Sequence, residues 1–129
     1  MKLNQDCVRA VLLELEEKLT LNDDLFLFQI KQLDCVEKYG EDTVIYSILK
    51  LKEADYLLAE PHYFDDELSE LTVSSLTWDG HLFLDTIRDN KVWKETKSIV
   101  SKFSSVSISL MSTVSSNILN ELIKKQLGF

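Results

Sequence analysis

The stretch from residue 55 to residue 77 most constrains the fold, because it interrupts helical patterns on both sides with the pattern of a β-hairpin. Its two ends, DYLLAE and LTVSSLT, are short and suit strands, and the polar segment between them, PHYFDDELSE, predicts the hairpin tip. The chain has a single proline, which leaves room for long helices elsewhere. The sequence therefore predicts an α+β fold with one hairpin among helices.

Helical spacing governs the first twenty residues. One face of a helix is formed by Leu3, Val8, Val11, Leu12, Leu15 and Leu19, and the charged residues lie elsewhere. Asn4 or Asp6 is suited to cap the N-terminus of this helix. The next apolar run, LFLFQI at residues 25–30, is too short for a helix and predicts a short, largely buried strand.

Two further helices are expected before the hairpin. Residues 31–39 predict a short helix that ends at Gly40, since glycine is the usual residue after a helix. The second helix is expected over residues 42–54, starting at Asp42 or Thr43. The resulting order of helix, strand, helix, helix, strand, loop and strand is that of a winged helix-turn-helix-like domain.

Both tryptophans of the chain lie in the segment that follows the hairpin. A helix capped by Thr77 or Asp79 is expected to run to Asp89 or Asn90, and a second helical stretch begins near Trp93. We expect both tryptophan side chains to hold this segment against the domain, because large aromatic rings gain most from burial.

Serines crowd residues 104–117, but apolar residues recur among them too regularly for a flexible linker. We predict a short linker and then a helix over residues 107–127, whose apolar face either packs within the chain or forms the seam of a homodimer. That face consists of Leu110 or Met111, Val114, Ile118, Leu122, Ile123 and Leu127. The winged-helix-like domain is assigned to residues 1–90 and a C-terminal helical extension to residues 91–129.

One motif after the hairpin resembles a known family. Its residues are Leu76, Thr77, Gly80, His81, Phe83, Leu84, Ile87, Arg88, Trp93 and Lys97, spaced as LTxxGHxFLxxIRxxxxWxxTK. Together with the opening MKLN and the segment IYSILKLKEADYL, it resembles small uncharacterised proteins of Gram-positive bacteria and their phages or prophages. The resemblance implies a winged-helix-like fold and a phage context but no catalytic residues. Ser47 departs from the family pattern, in which a histidine follows the tyrosine.

Acidic residues dominate all but the last part of the chain. Residues 1–60 carry 7 basic and 13 acidic residues. Residues 61–80 carry 5 acidic residues and neither lysine nor arginine, whereas residues 81–129 carry 7 basic and 4 acidic residues. The net charge is −8. An acidic surface repels phosphates, whereas non-specific DNA binding depends on lysine and arginine. The charge therefore disfavours DNA as a partner and favours a basic protein surface.

The opening segment lacks the pattern of a secretion signal. MKLNQDCVRAVLLELEEKL carries acidic residues within its apolar run, and no apolar run approaches the about 20 residues that span a bilayer. We expect a cytoplasmic location and no membrane partner. In that compartment Cys7 and Cys35 are expected to be buried, reduced thiols.

Catalysis is not expected from this composition. The chain has two histidines, His62 and His81, and lacks GxSxG, CxxC and glycine-rich phosphate-loop motifs. Catalytic and metal sites need several convergent groups, and the acidic pairs in loops are best explained as solvated turn residues. We predict no enzyme activity, no catalytic residues, no cofactor and no metal site.

Two hypotheses for the function follow. In the first, the chain binds a protein partner through an acidic winged-helix surface, in the sharpest form by imitating nucleic acid in the cleft of a host defence nuclease. In the second, it is a DNA-binding transcriptional regulator that uses the helix at residues 42–54 and the wing at residues 61–70. The residues assigned to interaction are Asp65, Asp66, Glu67 and Glu70 in the wing, followed by His81, Arg88, Lys94 and Lys97.

Overall fold

The structure is a computed structural model that describes residues 1–128, within which seven helices accompany one two-stranded antiparallel sheet. The chain packs as two compact units, the first ending at His81 and the second beginning at Leu82. The α+β class is therefore confirmed. The elements are α1 (Gln5–Lys18), α2 (Leu27–Ile30), α3 (Asp34–Tyr39), α4 (Glu41–Glu53), β1 (Leu57–Phe64), β2 (Glu67–Leu76), α5 (Trp78–Ile87), α6 (Asn90–Val100) and α7 (Ile108–Leu127).

Helix α1 begins where its capping residue predicts. Asn4 Oδ1 accepts a hydrogen bond of 3.0 Å from the Cys7 N–H, so Asn4 is the N-cap. The buried face of α1 packs against α3 and α4 and forms much of the core of the first unit. Its fully buried apolar residues are Cys7, Val8, Val11, Leu12 and Leu15.

The predicted strand at residues 25–30 is wrong except at its first residue. Leu25 forms an antiparallel bridge with Val73, and their two N–H···O bonds measure 2.9 and 2.8 Å. Leu27–Ile30 then form the single turn of α2, and Gln29 Oε1 closes it by accepting a 2.9 Å hydrogen bond from the Phe26 N–H. This local capping bond stabilises a helical turn at residues 27–30, although the residue types of this segment favour a strand.

Helix α3 receives its N-terminal cap from α1. The N-cap residue Leu33 has no side-chain acceptor, and the carboxylate of Glu14 replaces it. Glu14 Oε2 accepts from the Asp34 N–H at 2.6 Å, and Glu14 Oε1 accepts from the Cys35 N–H at 2.9 Å. Lys18 Nζ donates to the same carboxylate at 2.7 Å. A buried charge on α1 thus fixes the start of α3.

Gly40 separates α3 from α4, as predicted. Its φ of 86° is a conformation that residues with a Cβ atom rarely adopt, so glycine is required where the chain changes direction. Helix α4 starts at Glu41, one residue before the predicted Asp42. Its buried residues are Val44, Ser47, Ile48 and Leu51.

The hairpin is longer and its tip shorter than the sequence suggests. Strand β1 pairs with β2 from Leu57↔Leu76 to Phe64↔Glu67, which leaves a two-residue loop rather than the ten-residue polar tip predicted at 61–70. The base of the sheet belongs to the core through Leu57, Leu71, Val73 and Leu76. Because Leu25 adds its bridge to the free edge of β2, the sheet is attached to the segment before α2.

Thr77 connects the hairpin to α5. Its Oγ1 donates to the Asp55 carbonyl at 2.6 Å and accepts from the Gly80 N–H at 3.0 Å, and its N–H donates to the Tyr56 carbonyl at 3.1 Å. Of the two predicted caps, Thr77 is therefore the one used. Gly80 approaches the Tyr56 carbonyl so closely that a Cβ atom would overlap it. These contacts explain the leading part of the motif in physical terms.

One of the two tryptophans is buried and the other is exposed. Trp93 is 5% exposed, as predicted, whereas Trp78 is 77% exposed, so the expectation that both are buried is wrong for Trp78. Trp78 lies five residues before Phe83, which places it on the side of α5 opposite the buried Phe83, Leu84 and Ile87.

The second unit is built from capped helices. Helix α5 ends at Ile87, short of the predicted Asp89, because Asp89 instead caps α6 by accepting from the Lys91 and Val92 N–H groups at 2.8 and 3.1 Å. Ser107 caps α7 through the Leu110 N–H at 3.2 Å, so the helix predicted over 107–127 is confirmed.

Helix α6 packs against α7 within this unit. The first half of α7 buries Ile108, Met111 and Ser115, whereas Ile123 and Leu127 in the second half are 47% and 65% exposed.

Candidate interaction surface

The outer hairpin, defined here as residues 62–67, lies beyond the buried base of the sheet. All six of its residues are exposed. Tyr63 and Phe64 expose 59% and 74% of their surface, although burial of such rings is worth about 2 kcal/mol each. Exposed aromatic rings of this kind are typical of binding surfaces. The outer hairpin is therefore a candidate contact site.

Three acidic residues follow these rings in the sequence. Asp65, Asp66 and Glu67 follow Phe64 directly, and residues 57–76 contain neither lysine nor arginine. Asp65 and Asp66 have φ angles of 50° and 65°, the conformation of a type I′ turn, in which asparagine and glycine are usual. The backbone thus holds two adjacent negative charges at the end of the hairpin.

Glu70, the fourth predicted acidic residue, has a structural role. Its Oε1 accepts from the Leu27 N–H at 2.8 Å and from the Leu71 N–H at 2.9 Å. The bond from Leu27, and after it the bond from Leu71, lowers the pKa of the Glu70 carboxyl below its ordinary value. Glu70 therefore ties the start of α2 to β2, and the exposed acidic surface consists of Asp65, Asp66 and Glu67.

Helix α4 has little positive charge to offer a phosphate. Its first turn carries Glu41 and Asp42, both exposed. Lys50 Nζ lies 2.8 Å from Glu53 Oε2, so its charge is paired, and Lys52 is the remaining lysine of the helix. The helix assigned to DNA recognition is acidic at one end and largely neutralised at the other.

The predicted residues after the hairpin are distributed over two helices and the loop between them. His81 is exposed on α5, where its N–H donates to the Thr77 carbonyl at 2.9 Å. Arg88 forms a 2.8 Å ion pair with Asp85, while Lys94 is exposed and Lys97 is half-buried on α6. Arg88, Lys94 and Lys97 belong to the second unit, whereas the acidic residues of the hairpin belong to the first.

Both cysteines are buried and unpaired. Burial, followed by the interaction with Glu14, raises the pKa of the Cys35 thiol to about 12, and burial also raises that of Cys7. Such thiols stay protonated at neutral pH and are poor nucleophiles. Ser47 is fully buried and donates to the Thr43 carbonyl at 2.8 Å.

Metal sites and membrane spans are the two features for which residues 1–128 can be assessed directly. In this range no three His, Cys, Asp or Glu side chains converge in a way that suits a metal ion. Over the same range, no helix combines the length and the apolar character needed to cross a membrane.

The comparisons with known proteins give a family and one relative. The family model described as "Hypothetical protein (DUF2513)" matches residues 2–107. A protein of Haemophilus influenzae (strain ATCC 51907 / DSM 11121 / KW20 / Rd), described as uncharacterized, is 30% identical over 124 residues, which are 95% of this chain and 99% of the relative. No solved structure gives a significant match. The phage and Gram-positive context stays a prediction.

Sequence reasoning missed the two aromatic residues of the outer hairpin. The sequence pattern predicts residues 61–70 as one polar loop, in which an exposed aromatic side chain is not expected to have a specific role. In the structure both residues lie on strand β1, where Phe64 is 74% exposed and Tyr63, which is 59% exposed, lines a cavity with Lys50 and Lys52 of α4. The signal available in the sequence was the adjacency of two aromatic residues to three acidic ones.

Proposed function

We propose that this chain, which belongs to the DUF2513 family, is a non-enzymatic interaction module that binds a basic protein surface through its outer hairpin. The observation that carries the proposal is that two exposed aromatic residues, Tyr63 and Phe64, are followed directly by three exposed acidic ones, Asp65, Asp66 and Glu67. Aromatic anchors supply most of the binding free energy in protein interfaces, and surrounding charges select the partner. The expected partner carries an apolar pocket bordered by lysine or arginine.

The proposal includes a winged-helix arrangement for the first unit. The order α1, α2, α3, α4, β1 and β2 is compatible with it, and the isolated Leu25–Val73 bridge before α2 lies where a short third strand is expected. The single residue Gly40 between α3 and α4 makes a tighter turn than the three or four residues usual in helix-turn-helix motifs. In this assignment α4 is the second helix of the motif and the outer hairpin is the wing.

The sharpest form of the proposal places the protein in a phage or prophage setting as an inhibitor of a host defence nuclease. Asp65 and Asp66 in the turn and Glu67 at the start of β2 present three consecutive carboxylates, and closely spaced negative charge is also what a phosphate backbone presents. A nuclease cleft that is basic and partly apolar is suited to such a hairpin.

The charges weigh against the alternative, a DNA-binding regulator that uses the helix at 42–54 and the wing at 61–70. Both elements have to approach phosphates closely. The wing contains no basic residue, and the only α4 lysine outside an ion pair among the described residues is Lys52. No observation on these two elements favours that function.

The test is a capture experiment from nuclease-treated host lysate with the full chain as bait. We expect Tyr63→Ser/Phe64→Ser and Asp65→Lys/Asp66→Lys each to abolish capture of the same protein. Matched controls are Leu58→Ser, an exposed apolar residue of β1, and Asp23→Lys/Asp24→Lys, an exposed acidic pair. Both controls should capture the partner normally.

The captured protein is then purified and its dissociation constant measured by calorimetry for each variant. Loss of both aromatic rings in Tyr63→Ser/Phe64→Ser should weaken binding by at least tenfold. Equal affinity for the wild type and both hairpin variants would refute the proposal, as would a loss confined to the controls.

A further inference from the structure

A groove runs between α6 and α7 within the second unit. Two cavities of about 420 and 480 Å³ lie along it, and Lys91, Leu122 and Lys125 line both of them. The larger cavity joins the start of α6 to the last turns of α7, so the two helices run antiparallel. Because the cavities share three lining residues, they form one continuous surface, which is called the α6–α7 groove below.

Apolar side chains form the floor of this groove. Val114, Ile118 and Leu122 follow one another at helical spacing along α7, and each is only half-buried. Ile99 of α6 and Ile123 of α7, which also line it, are 41% and 47% exposed. A partly exposed apolar stripe at this spacing is typical of a helix that packs against a further helix. The floor of the groove therefore suits a second helical layer.

Four exposed charged side chains border the floor in two rows. Lys91 of α6 and Lys125 of α7 form the lysine row. Glu95 and Glu121 lie one turn away from them, each on its own helix, and form the glutamate row. Because the helices are antiparallel, both lysines lie toward the start of α6 and both glutamates lie toward its middle. The groove thus carries a positive row beside a negative row.

The neighbouring charged residues leave this pattern intact. Asp89, which also lines the larger cavity, is engaged as the cap of α6 through the Lys91 and Val92 N–H groups. Lys124 Nζ lies 3.6 Å from Glu121 Oε1 on the same helix, and an exposed ion pair of this kind contributes little. Glu121 therefore remains open to a stronger partner.

A second copy of the chain matches the two rows in one orientation. When two grooves face each other, a two-fold axis that runs across the helices reverses their direction and lays each lysine row on the glutamate row of the other copy. Lys91 then faces Glu95 of the partner subunit, and Lys125 faces Glu121 of the partner subunit. A two-fold axis parallel to the helices instead lays lysine on lysine and glutamate on glutamate, which is repulsive. The charges thus favour the first orientation and oppose the second.

We propose that this protein forms a homodimer through the α6–α7 groove, with the α6 helices of the two copies antiparallel to each other. The apolar floors form the centre of the interface, and two kinds of ion pair, each repeated by symmetry, set its orientation. The proposal goes beyond the binding of a protein by the outer hairpin and is independent of it, because no residue of the outer hairpin belongs to the groove.

The experiment is sedimentation velocity of the full chain at low salt. The acidic variant is Lys91→Glu/Lys125→Glu, and the basic variant is Glu95→Lys/Glu121→Lys. In each variant like charges meet across the interface, so both should be monomers at concentrations where the wild type is a dimer. An equimolar mixture of the two variants should restore a dimer, because every position then faces the opposite charge. Circular dichroism verifies that each variant is folded.

Two control variants separate orientation from net charge. Lys91→Glu/Glu95→Lys exchanges the charges within α6 and keeps opposite charges facing each other, so it should dimerise as the wild type does. Lys38→Glu/Lys52→Glu alters the net charge as the acidic variant does, on exposed lysines of the first unit, and should also dimerise. We expect the dissociation constant of the dimer to rise at least tenfold in the acidic and basic variants and less than about threefold in the controls.

Three results would overturn the proposal. The first is a wild-type chain that is monomeric at about 100 μM protein. The second is a mixture of the acidic and basic variants that stays monomeric although both are folded. The third is a monomeric Lys91→Glu/Glu95→Lys variant, because the antiparallel arrangement keeps its charges complementary.

Discussion

Replacing Glu14 by alanine removes the carboxylate that begins α3. In the variant the Asp34 and Cys35 N–H groups lose acceptors that lie at 2.6 and 2.9 Å in the wild type. An unsatisfied buried donor costs about 1–3 kcal/mol. The Cys35 N–H is buried, so loss of its acceptor incurs the full cost. The Asp34 N–H is partly buried, so water can replace part of the lost hydrogen bond. We therefore expect a loss of about 2–4 kcal/mol in the free energy of unfolding.

Urea unfolding at pH 7, followed by circular dichroism, measures this loss. Glu17→Ala is the matched control, because Glu17 lies on the same helix and is exposed. It should change the free energy of unfolding by less than about 0.5 kcal/mol. A similar result for Glu14→Ala would refute the assignment of Glu14 as the cap of α3.

The pH dependence adds a second check on the same residue. Burial raises the pKa of Glu14, but the hydrogen bonds from Lys18, Cys35 and Asp34 together lower it below its ordinary value of 4.5. A carboxyl with a lowered folded-state pKa stabilises the fold above its unfolded-state pKa, and this contribution is lost as the pH falls through the folded-state pKa. The difference in the free energy of unfolding between wild type and Glu14→Gln should therefore be constant near pH 7. It should shrink as the pH falls below the ordinary pKa of 4.5. A difference that grows on acidification would contradict the reasoning.

Three further substitutions test other parts of the fold. Gly80→Ala should lower the free energy of unfolding by about 3 kcal/mol, because its Cβ would overlap the Tyr56 carbonyl; a thermal melt equal to that of wild type would rule out the close approach. Asp66→Gly should raise the free energy of unfolding by about 0.5–1 kcal/mol, since glycine adopts the φ of 65° without strain, and a decrease measured by urea unfolding would argue against the type I′ turn. If the exposed end of α7 forms a homodimer, light scattering should give a dimer mass for wild type and a monomer mass for Ile123→Glu, and a monomer in both cases would exclude that seam.

Most of the helices were predictable because their limits are set by nearby residues. Asn4, Gly40 and Ser107 each act through bonds or backbone angles within four residues of their own position. The same holds for Thr77 as the cap of α5, although its bond to Asp55 joins residues far apart in sequence. Where capping chemistry is local, periodicity and residue type were sufficient.

The errors arose where distant residues decide the outcome. Glu14 caps a helix that begins twenty residues later, and Glu70 holds the N–H of Leu27, so neither role is visible from spacing. The exposure of Trp78 follows from which side of α5 is covered, and only the folded chain determines that. Of the candidate surface, the sequence identified the acidic residues but not the exposed rings beside them.

The outer hairpin has a consequence for how this protein can change over evolutionary time. Its residues contribute little to the core, because the buried residues of the hairpin, Leu57, Leu71, Val73 and Leu76, lie outside residues 62–67. Substitutions at Tyr63 or Phe64 are therefore expected to cost little folding stability. If the outer hairpin binds a partner as proposed, a lineage can exchange one partner for another there while Thr77, Gly80 and the buried positions keep the same architecture. We expect members of the family to differ from one another most at this turn.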